Sequence, residues 1–495
     1  MKLKNLLKNI HDAVIRGNKD IDITGLCNNS KVVSPGNLFV AKRGATFDGN
    51  HYITDALNGG AVAILTDIYN PFLKNITQII HPNVDATEAI LADEFYQTPS
   101  KELFLVGITG TNGKTSTSFL IKQLLEHQQM SCGVIGSVEY IVGQHRYPST
   151  HGTPDLLVNQ RLLREMLHND CKACVMEVTS HGLDQGRVKG LYFHAAIFTN
   201  LSHEHLDYHK TMENYAAAKS QLFASLGRKE GLAPIAIVNC DSPWHQLMIS
   251  NCQAPVITYG MDETADVRAE DILLHPNYSE FTVCYQDQKA RFHLGLMGRF
   301  NISNCLAAIA LGLYCQLNLH QLVAIVANFQ SIPGRLQRID NDIGLHIFVD
   351  YAHKPDALEN VLQCLKEVEG GRVITVFGCG GNRDRQKRPV MAQISERYSS
   401  MSIVTNDNPR DENPQTIISE IVAGFQSKEN YLVEEDRSLA ISKAIDIAKK
   451  GDIVLIAGKG HETYQIFAHK TLAFDDSKVA SNLCAQKKQA LASTH

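Results

Sequence analysis

Short apolar runs recur along the chain and are separated by turn-rich or helix-length segments. In the first hundred residues, apolar runs at 38–41 and 61–65 follow segments 34–37 and 44–49, which contain Gly, Pro, Asn and Asp. Apolar runs bounded by such residues predict short strands. We therefore predict a small α/β domain over residues 1–100.

The second part of the chain repeats a strand-then-helix pattern. The predicted strands lie at 103–106, 173–178, 195–198 and 235–238. Near-continuous apolar strands that alternate with helices predict a mostly parallel sheet with helices on both faces. Runs at 281–284 and 291–297 have the pattern of antiparallel strands and precede a helix from Asn301. We predict a central domain over residues 101–334.

A third α/β region closes the chain after a turn at Pro333 and Gly334. Its predicted strands lie at 347–349, 373–377, 402–404 and 453–456. Helix-length segments separate them, so we predict a Rossmann-like C-terminal domain over residues 335–495. The fold class is α/β with three domains.

Composition narrows the possible partners. The 495 residues are about three times a usual domain of about 150 residues. The formal net charge of −5 gives no general attraction to nucleic acid or to an anionic membrane. We expect small-molecule substrates and a monomer. No run of about 18 apolar residues occurs, and the N-terminal segment lacks the apolar core of a signal peptide.

The twelve cysteines favour a reducing cytoplasm, because they are scattered through predicted strands and helices. Cys171 and Cys174 form a single CxxC pair, which is compatible with a metal or redox role or with buried thiols. Cys174 begins an apolar strand pattern, and this favours the buried thiols.

A glycine-rich segment at 106–116 predicts a phosphate site. A strand leads into the turn, and a helix begins near Lys114. Gly110 and Gly113 allow the backbone to approach a phosphate, Lys114 offers a charge, and Thr115 offers a hydroxyl to Mg²⁺. Ile108 stands where the strict P-loop pattern has Gly, so this is a variant loop. The alternative is a flexible glycine turn without a ligand.

Two further polar segments follow apolar strands of the same predicted sheet. Glu177 ends one strand, and the segment 200–209, which contains His205, follows the next. Carboxyl ends of parallel strands meet at one edge of a sheet, where ligands bind. The residues are therefore candidates for holding a magnesium ion against ATP. Each segment alone could equally be a surface loop.

Together these motifs resemble the Mur ligases, the ATP-dependent enzymes that add amino acids to peptidoglycan precursors. The matching elements are 110–116, Glu177 with 180–183, 205–209, Lys219, 298–301 with Asn304, 334–335 and 350–353. The resemblance implies a UDP-binding N-terminal domain, a central P-loop ATPase-type domain and a C-terminal domain that binds the amino acid. It also implies that ATP converts a substrate carboxylate into an acyl phosphate, which an amine then displaces.

The same resemblance assigns roles to residues of the ATP site. It implies magnesium ligands at Thr115, Glu177, His205 and Lys219, the last as a carbamate formed with carbon dioxide. It implies catalytic roles for Lys114, Lys219, Arg335 and His353. It implies ATP contacts at Gly110, Thr111, Asn112, Gly113, Lys114, Thr115, Ser116, Asn301, Asn304, Arg335 and Asp350. For the two asparagines the alternative is that they cap a helix starting near Ser303.

Other segments resemble the substrate contacts of the tripeptide-forming member of the family. The contacts implied for the UDP-muramyl dipeptide are Asn28, Ser30, Ala45, Thr46, Phe47, His151, Gly152, Thr153, Thr179, Gln185 and Arg187. Two positions depart from the pattern: Lys31 stands where Arg is usual, and Gly152 stands where a hydroxyl residue is common.

The segment 407–410, Asp-Asn-Pro-Arg, matches the family motif that recognises meso-diaminopimelate. A guanidinium such as that of Arg410 can bind the second carboxylate of this amino acid, which lysine lacks. The implied contacts are Arg383, Asp407, Asn408, Pro409, Arg410, Gly458 and Glu462. By spacing alone the motif could be a turn after a strand.

Two other functions stay open. A folylpolyglutamate synthase shares the variant phosphate loop and the acyl-phosphate chemistry but lacks the N-terminal UDP domain and the 407–410 motif. A nucleotide-binding regulator without ligase activity is disfavoured by the retention of Lys114, Glu177, His205 and Lys219 together.

Overall fold

The computed structural model describes residues 1–44, 48–227, 233–368 and 371–492. The chain divides into two compact units, Met1–Ala265 and Asp266–His495. Each unit combines helices with sheets rich in parallel strands, so the predicted α/β class is confirmed. Within these described ranges, no helix is both long and apolar enough to cross a membrane.

The first unit begins with a five-stranded sheet. Its strands are β1 Val14–Arg16, β2 Gly25–Cys27, β3 Asn37–Val40, β4 Ala63–Thr66 and β5 Thr77–Ile80, and its helices are α1 Leu3–Leu6, α2 Ile53–Asn58, α3 Val84–Phe95 and α4 Pro99–Glu102, with 3₁₀ turns at Ser30–Val32 and Gly49–Tyr52. The strand order is β1-β5-β4-β3-β2, and only β1 pairs antiparallel to its neighbour. All residues of β3 and β4 are buried, which explains the two apolar runs in this region.

The rest of the first unit is built on a larger sheet. Its strands are β6 Phe104–Thr109, β7 Cys132–Ile135, β8 Glu139–Val142, β9 His145–Pro148, β10 Ala173–Glu177, β11 Ala195–Phe198, β12 Ile235–Asn239 and β13 Val256–Gly260. Its helices are α5 Lys114–His127, α6 Leu156–His168, α7 Ser180–Asp184, α8 Leu206–His209, α9 Met212–Ala224 and α10 His245–Ile249. The order is β13-β12-β11-β6-β10-β7-β8-β9, parallel from β13 to β7, with β8 and β9 antiparallel. Because β6 lies between β10 and β11, the carboxyl ends of these three strands are adjacent.

The second unit begins with an antiparallel sheet, as predicted. Its strands are β14 Val267–Leu274, β15 Ser279–Tyr285 and β16 Gln288–Leu294, followed by helices α11 Arg299–Tyr314 and α12 Leu319–Val326. Helix α11 begins at Arg299 rather than Asn301, and its N-cap, Gly298, makes no side-chain hydrogen bond. The alternative that asparagines cap a helix near Ser303 is therefore wrong. The amide of Asn301 instead donates to the carbonyl of Met297 at 2.9 Å.

The C-terminal sheet contains the four strands predicted there. Its strands are β17 Gln337–Ile339, β18 His346–Asp350, β19 Val373–Phe377, β20 Met401–Val404, β21 Tyr431–Val433 and β22 Ile453–Ala457, and β23 Tyr464–Phe467 pairs with β24 Lys470–Ala473 as a hairpin. The helices are α13 Pro355–Glu367, α14 Lys387–Tyr398, α15 Pro414–Val422, α16 Arg437–Ile447 and α17 Asp476–Ala492, with a 3₁₀ turn at Lys428–Asn430. The order is β17-β18-β22-β19-β20-β21, parallel except at β17. Two apolar clusters cover its faces, one with α13–α15 and one with α16 and α17.

Candidate active site

The glycine-rich loop joins β6 to α5, and α5 begins at Lys114 as predicted. The ammonium of Lys114 donates to the carbonyls of Gly110 at 2.9 Å and Thr111 at 2.8 Å. Gly110 has φ +148°, and a β-carbon there would lie 1.9 Å from the hydroxyl oxygen of Thr199. Only glycine fits this position. Two backbone carbonyls of the loop therefore bind the ammonium of Lys114 at the carboxyl end of β6.

Residues that follow β11 hold this loop in place. The amide N–H of Asn112 donates to the side-chain oxygen of Asn200 at 3.0 Å, and the side-chain amide of Asn200 donates back to the Asn112 carbonyl at 3.2 Å. The hydroxyl of Thr199 donates to the same carbonyl at 2.6 Å. The sequence did not identify Thr199 as a site residue, and it included Asn200 only as the first residue of the segment 200–209, without a role of its own. Their place directly after an apolar strand was a usable signal.

Glu177 lies at the end of β10 and is almost completely buried. Its Oε1 accepts hydrogen bonds from the hydroxyl of Thr115 at 2.9 Å and the N–H of Ser137 at 3.0 Å. Its Oε2 accepts one from the Ser137 hydroxyl at 2.8 Å. A carboxylate and two hydroxyls are hard oxygen donors of the kind that Mg²⁺ prefers, so this donor set fits that ion.

Histidine and carboxylate ligands alone do not form a metal site in the described part of the chain, because no group of three such side chains is arranged to hold an ion. His205 has φ +58° and begins the turn of α8. Its ring centroid lies 4.9 Å from that of His181 and 6.0 Å from that of Tyr215. The Tyr215 hydroxyl lies 3.2 Å from that of Thr111, so His205 adjoins a side chain that contacts the loop.

Lys219 is buried on α9, and its side-chain nitrogen donates to the Gly110 carbonyl at 2.8 Å. The same carbonyl accepts a bond from Lys114, so the structure brings the two predicted lysines together. Burial, and then the nearby charge of Lys114, lower the pKa of Lys219 well below its ordinary value. The neutral amine is therefore favoured at this position.

Four residues predicted to contact the muramyl peptide meet beside Glu177. The Thr153 hydroxyl donates to the Glu177 carbonyl at 3.0 Å and lies 2.9 Å from the Thr179 hydroxyl. The guanidinium of Arg187 donates to the Thr153 carbonyl at 2.8 Å and to the side-chain oxygen of Gln185 at 2.7 Å. These contacts place Thr153, Thr179, Gln185 and Arg187 at the carboxyl end of β10.

The structure accounts for the glycine at position 152, where the family resemblance would favour a hydroxyl residue. A β-carbon at Gly152 would lie 2.6 Å from the hydroxyl oxygen of Ser137, so the Ser137 side chain occupies the space that a hydroxyl residue at 152 would need. His151 is exposed, and its carbonyl accepts a bond from the hydroxyl of Tyr140 at 2.9 Å.

The predicted UDP contacts lie in the N-terminal part of the same unit. Asn28 donates to the carboxylates of Asp155 at 2.7 Å and Glu88 at 3.1 Å, which brings it to the segment that carries Thr153. Ser30 begins the 3₁₀ turn Ser30–Val32 and is half-buried. Ala45, Thr46 and Phe47 lie outside the described residues.

In the second unit, Asp407, Asn408, Arg410 and Glu462 form a cluster that we call the amine pocket. Asp407 follows β20 and is 6% exposed, and its carboxylate accepts no hydrogen bond from any residue that the structure describes, whereas its carbonyl accepts one from the side-chain amide of Gln465 at 3.0 Å. Gly458 has φ +116°, and a β-carbon there would lie 2.7 Å from the Asp407 carboxylate. Gly458 thus lets the backbone after β22 approach this carboxylate.

Two arginines flank Gly380 next to the amine pocket. A β-carbon at Gly380 would lie 2.8 Å from a guanidinium nitrogen of Arg410 and 3.7 Å from Cγ of Arg383. Arg410 has φ +53°, and its guanidinium donates to the Gly381 carbonyl at 2.9 Å. The carbonyl of Pro409 packs against Gly381, where a β-carbon would lie 1.9 Å from it. The seven residues predicted to bind diaminopimelate therefore lie together.

One lysine in this region was missed by the sequence reasoning. Lys459 is fully buried, and its ammonium lies 3.1 Å from both the Asn408 side-chain oxygen and the Glu462 carboxylate. The side-chain amide of Asn408 also donates to that carboxylate, at 2.9 Å.

Arg335, Asp350 and His353 surround the start of the C-terminal sheet. The Asp350 carboxylate accepts the N–H groups of Leu336 at 2.7 Å and Ala352 at 2.8 Å, and burial raises its pKa against the opposing charge of Arg335. The Arg335 guanidinium lies 5.2 Å from the ring centroid of Tyr351. That ring is 4.5 Å from His353, whose pKa burial lowers to about 4.

Asn301 and Asn304 lie one turn apart on α11 and are both buried. The amide of Asn304 lies 3.4 Å from the side-chain oxygen of Asn301.

A phosphate-type loop with two lysines and a buried carboxylate, at the carboxyl ends of parallel strands, defines a nucleotide-binding α/β enzyme. Similarity to known protein families identifies this enzyme class more closely. Residues 22–95 match the description "Mur ligase family, catalytic domain", residues 108–312 match "Mur ligase middle domain", and residues 334–460 match "Mur ligase, glutamate ligase domain".

Full-length relatives are similar to the whole chain. A UDP-N-acetylmuramoyl-L-alanyl-D-glutamate–2,6-diaminopimelate ligase from Chlamydia pneumoniae is 44% identical, covering 98% of this chain and 99% of its own. One from Geobacillus thermodenitrificans (strain NG80-2) is 41% identical, covering 97% and 98%. A solved structure with the same name has a TM-score of 0.74 at 31% identity and covers 99% of both chains. The chain belongs to the Mur ligase family and is an ATP-dependent ligase that forms an amide bond.

Proposed function

We propose that the enzyme joins meso-2,6-diaminopimelate to the D-glutamate carboxyl of UDP-N-acetylmuramoyl-L-alanyl-D-glutamate, with an acyl phosphate as intermediate. The observation that carries the proposal is the buried carboxylate of Asp407, which lies against Gly458 and accepts no hydrogen bond from a described residue. A buried carboxylate without a donor is costly unless a ligand supplies one. The names of the full-length relatives support the same substrates.

The charges of the amine pocket suit the far end of diaminopimelate. Its distal carbon carries an ammonium and a carboxylate. The ammonium would donate to Asp407 and Glu462, and the carboxylate would bind Arg410 and Arg383. At the same end lysine carries only an ammonium, so Arg410 would have no substrate carboxylate to bind.

For the nucleotide, we assign the phosphates to the loop from Gly110 to Ser116, with Asn301, Asn304, Arg335 and Asp350 as further contacts. Thr115, Glu177 and His205 would hold Mg²⁺ together with Lys219 as a carbamate, since the neutral amine of Lys219 can add carbon dioxide. When bound, Mg²⁺ would offset the negative charge of the phosphate oxygens. Lys114 and Arg335 would stabilise the charge that develops on transfer, and His353 would stay neutral near pH 7.

The dipeptide substrate is assigned to the first unit. Its contacts would be Asn28, Ser30, His151, Gly152, Thr153, Thr179, Gln185 and Arg187, with Ala45, Thr46 and Phe47 from the segment outside the described residues. The arginine and the hydroxyls beside Glu177 suit the carboxylates of a D-glutamyl group.

We also propose three domains with bounds 1–100, 101–334 and 335–495, which the three intervals of family similarity support. The protein would act as a monomer in the cytoplasm, without nucleic acid or membrane partners. The free state of all twelve cysteines and the formal net charge of −5 support this assignment.

The test is mass analysis of the product formed from ATP, UDP-muramyl dipeptide and an equal mixture of meso-diaminopimelate and lysine. We expect a diaminopimelate-containing tripeptide and ADP. Arg410→Ala should raise the KM for diaminopimelate by about a hundredfold and spare the KM for ATP, because a charge-assisted contact of about 3 kcal/mol is lost. Arg397→Ala, on the exposed side of α14, is the control.

Other outcomes separate the rival functions. Glutamate addition to a folate would indicate a folylpolyglutamate synthase. ATP binding without phosphate release in the presence of both cosubstrates would indicate a regulator. An equal rise of both KM values in Arg410→Ala would contradict the assignment of the amine pocket.

A further inference from the structure

Lys459 is buried inside the amine pocket although it carries an ammonium group. Its side chain is 0% exposed, and its only hydrogen-bond acceptors among the described residues are Asn408 and Glu462, each at 3.1 Å. The ring of Tyr464 lies 5.6 Å from the ammonium. Removing an ammonium from water is costly, and an apolar side chain of equal length would avoid that cost. Packing alone therefore does not account for a lysine here.

The ammonium helps to fix the orientation of the Asn408 amide. The side-chain oxygen of Asn408 accepts two hydrogen bonds, from Lys459 and from the N–H of Ile466 at 3.0 Å. With the oxygen fixed, the NH₂ group faces Glu462 and donates to its Oε2 at 2.9 Å. The carbonyl of Ile466 in turn accepts the N–H of Arg410 at 3.0 Å, which joins the 407–410 segment to β23.

The same ammonium contacts only one of the two carboxylate oxygens of Glu462. Oε2 accepts bonds from both Lys459 and Asn408, whereas Oε1 accepts none from any described side chain or backbone group. Asp407 likewise has an open carboxylate. The carboxylates of Asp407 and Glu462 are thus balanced by the cations Lys459 and Arg410. A pocket that is neutral overall suits the distal end of diaminopimelate, which carries one ammonium and one carboxylate.

We propose, resting on the proposed function, that Lys459 is a positioning residue for the amino-acid substrate. It holds Asn408 and one oxygen of Glu462. The other oxygen of Glu462 and the carboxylate of Asp407 then face the distal ammonium of diaminopimelate. Lys459 acts through these side chains and does not touch the reacting amine.

The test is steady-state kinetics of the full-length Lys459→Met enzyme, which keeps the aliphatic stem and loses the charge. The KM for meso-diaminopimelate should rise about ten- to a hundredfold, because charge-assisted hydrogen bonds that order the pocket are lost. The kcat at saturating diaminopimelate and the KM for ATP should stay close to those of the wild type. Lys459→Arg should recover part of the affinity, since a guanidinium can donate to both acceptors.

One control variant tests for an effect of losing any lysine, and a double variant is used if Lys459→Met does not fold. Lys478→Met removes a lysine whose side chain is 81% exposed and should behave like the wild type. If Lys459→Met does not fold, the double variant Lys459→Met/Glu462→Gln, which has no unpaired charge at this place, is compared with Glu462→Gln. A higher KM for diaminopimelate in the double variant than in Glu462→Gln, with an unchanged KM for ATP, supports the proposal, because Asn408 has then lost the ammonium that it contacts.

Three results are distinguishable. If the folded Lys459→Met enzyme has an unchanged KM for diaminopimelate, or if its KM rises equally for ATP, Lys459 has no positioning role. Equal KM values for diaminopimelate in Glu462→Gln and the double variant overturn the proposal in the same way. If the wild type itself forms no diaminopimelate product, the proposed function fails and Lys459 is not the cause.

Discussion

The buried amine of Lys219 links the stability of the fold to pH. Its pKa in the folded protein lies well below 10.5, chiefly because of burial. Between that lowered pKa and 10.5, the unfolded chain binds a proton at this lysine that the folded protein does not. The free energy of unfolding therefore gains a contribution that rises with pH in this window, by up to about 1.4 kcal/mol per pH unit.

Lys219→Met should remove this contribution. In urea denaturation at about pH 7 and about pH 9, in buffers free of carbon dioxide, the wild type should gain more stability between the two pH values than the variant. The variant should also lack ligase activity. Lys172→Met, which removes an exposed lysine of the same unit, should keep the wild-type pH dependence. An identical pH dependence in Lys219→Met and the wild type would mean that Lys219 stays protonated when folded.

Single residues differ in how far their sequence context identifies them. Lys114 and Thr115 could be predicted because both belong to one local glycine-rich motif, although the Glu177 that Thr115 contacts is 62 residues away. Ser137 and Lys459 could not, because no local motif marks them and each contacts a side chain 40 or 51 residues distant in the chain. Such contacts depend on which strands become neighbours, and one sequence does not state that order.

At the scale of elements, a fully buried ion pair ties α16 to α17. The guanidinium of Arg437 donates to both carboxylate oxygens of Asp476, at 2.7 and 2.8 Å, and neither side chain is exposed. It also donates to the carbonyl of Ala457 at 3.0 Å, next to Gly458. Removing one partner of such a pair leaves a buried charge without its counterion.

Asp476→Ala should therefore lower the free energy of unfolding by about 3–5 kcal/mol, measured by urea denaturation. Lys443→Met, which breaks the more exposed pair with Glu434, should cost less than about 1 kcal/mol. Replacing both partners, in Arg437→Met/Asp476→Leu, should restore much of the loss because no unpaired charge remains. A cost for Asp476→Ala no larger than that of the exposed pair would show that α17 does not depend on this contact.

The elements that the sequence predicted are those whose burial is strongest. All residues of β10, β12 and β22 are buried, and continuous apolar runs revealed each of them. The hairpin strands β9 and β24 were not predicted, because all of their residues are exposed and they contain no apolar run. Their existence depends on pairing with a neighbour, which local pattern does not encode.

At the scale of the whole molecule, the two substrates are assigned to different compact units. The described contacts for the UDP-muramyl dipeptide fall between Asn28 and Arg187, within Met1–Ala265. Those for diaminopimelate fall between Arg383 and Glu462, within Asp266–His495. A ligand slows amide exchange most strongly where it stabilises the backbone that binds it.

Hydrogen exchange can therefore separate the two sites without measuring catalysis. Saturating UDP-muramyl dipeptide should slow exchange at amides around 151–187, and saturating meso-diaminopimelate should slow it around 405–410 and 458–466, where Asn408 and Arg410 pair with the backbone of Ile466. Lysine at the same concentration should protect the second region less, because it lacks the carboxylate for Arg410. Protection by diaminopimelate confined to the first unit would contradict the amine pocket. In Lys459→Met, loss of protection around 458–466 with normal protection around 151–187 would separate a local defect from a global one.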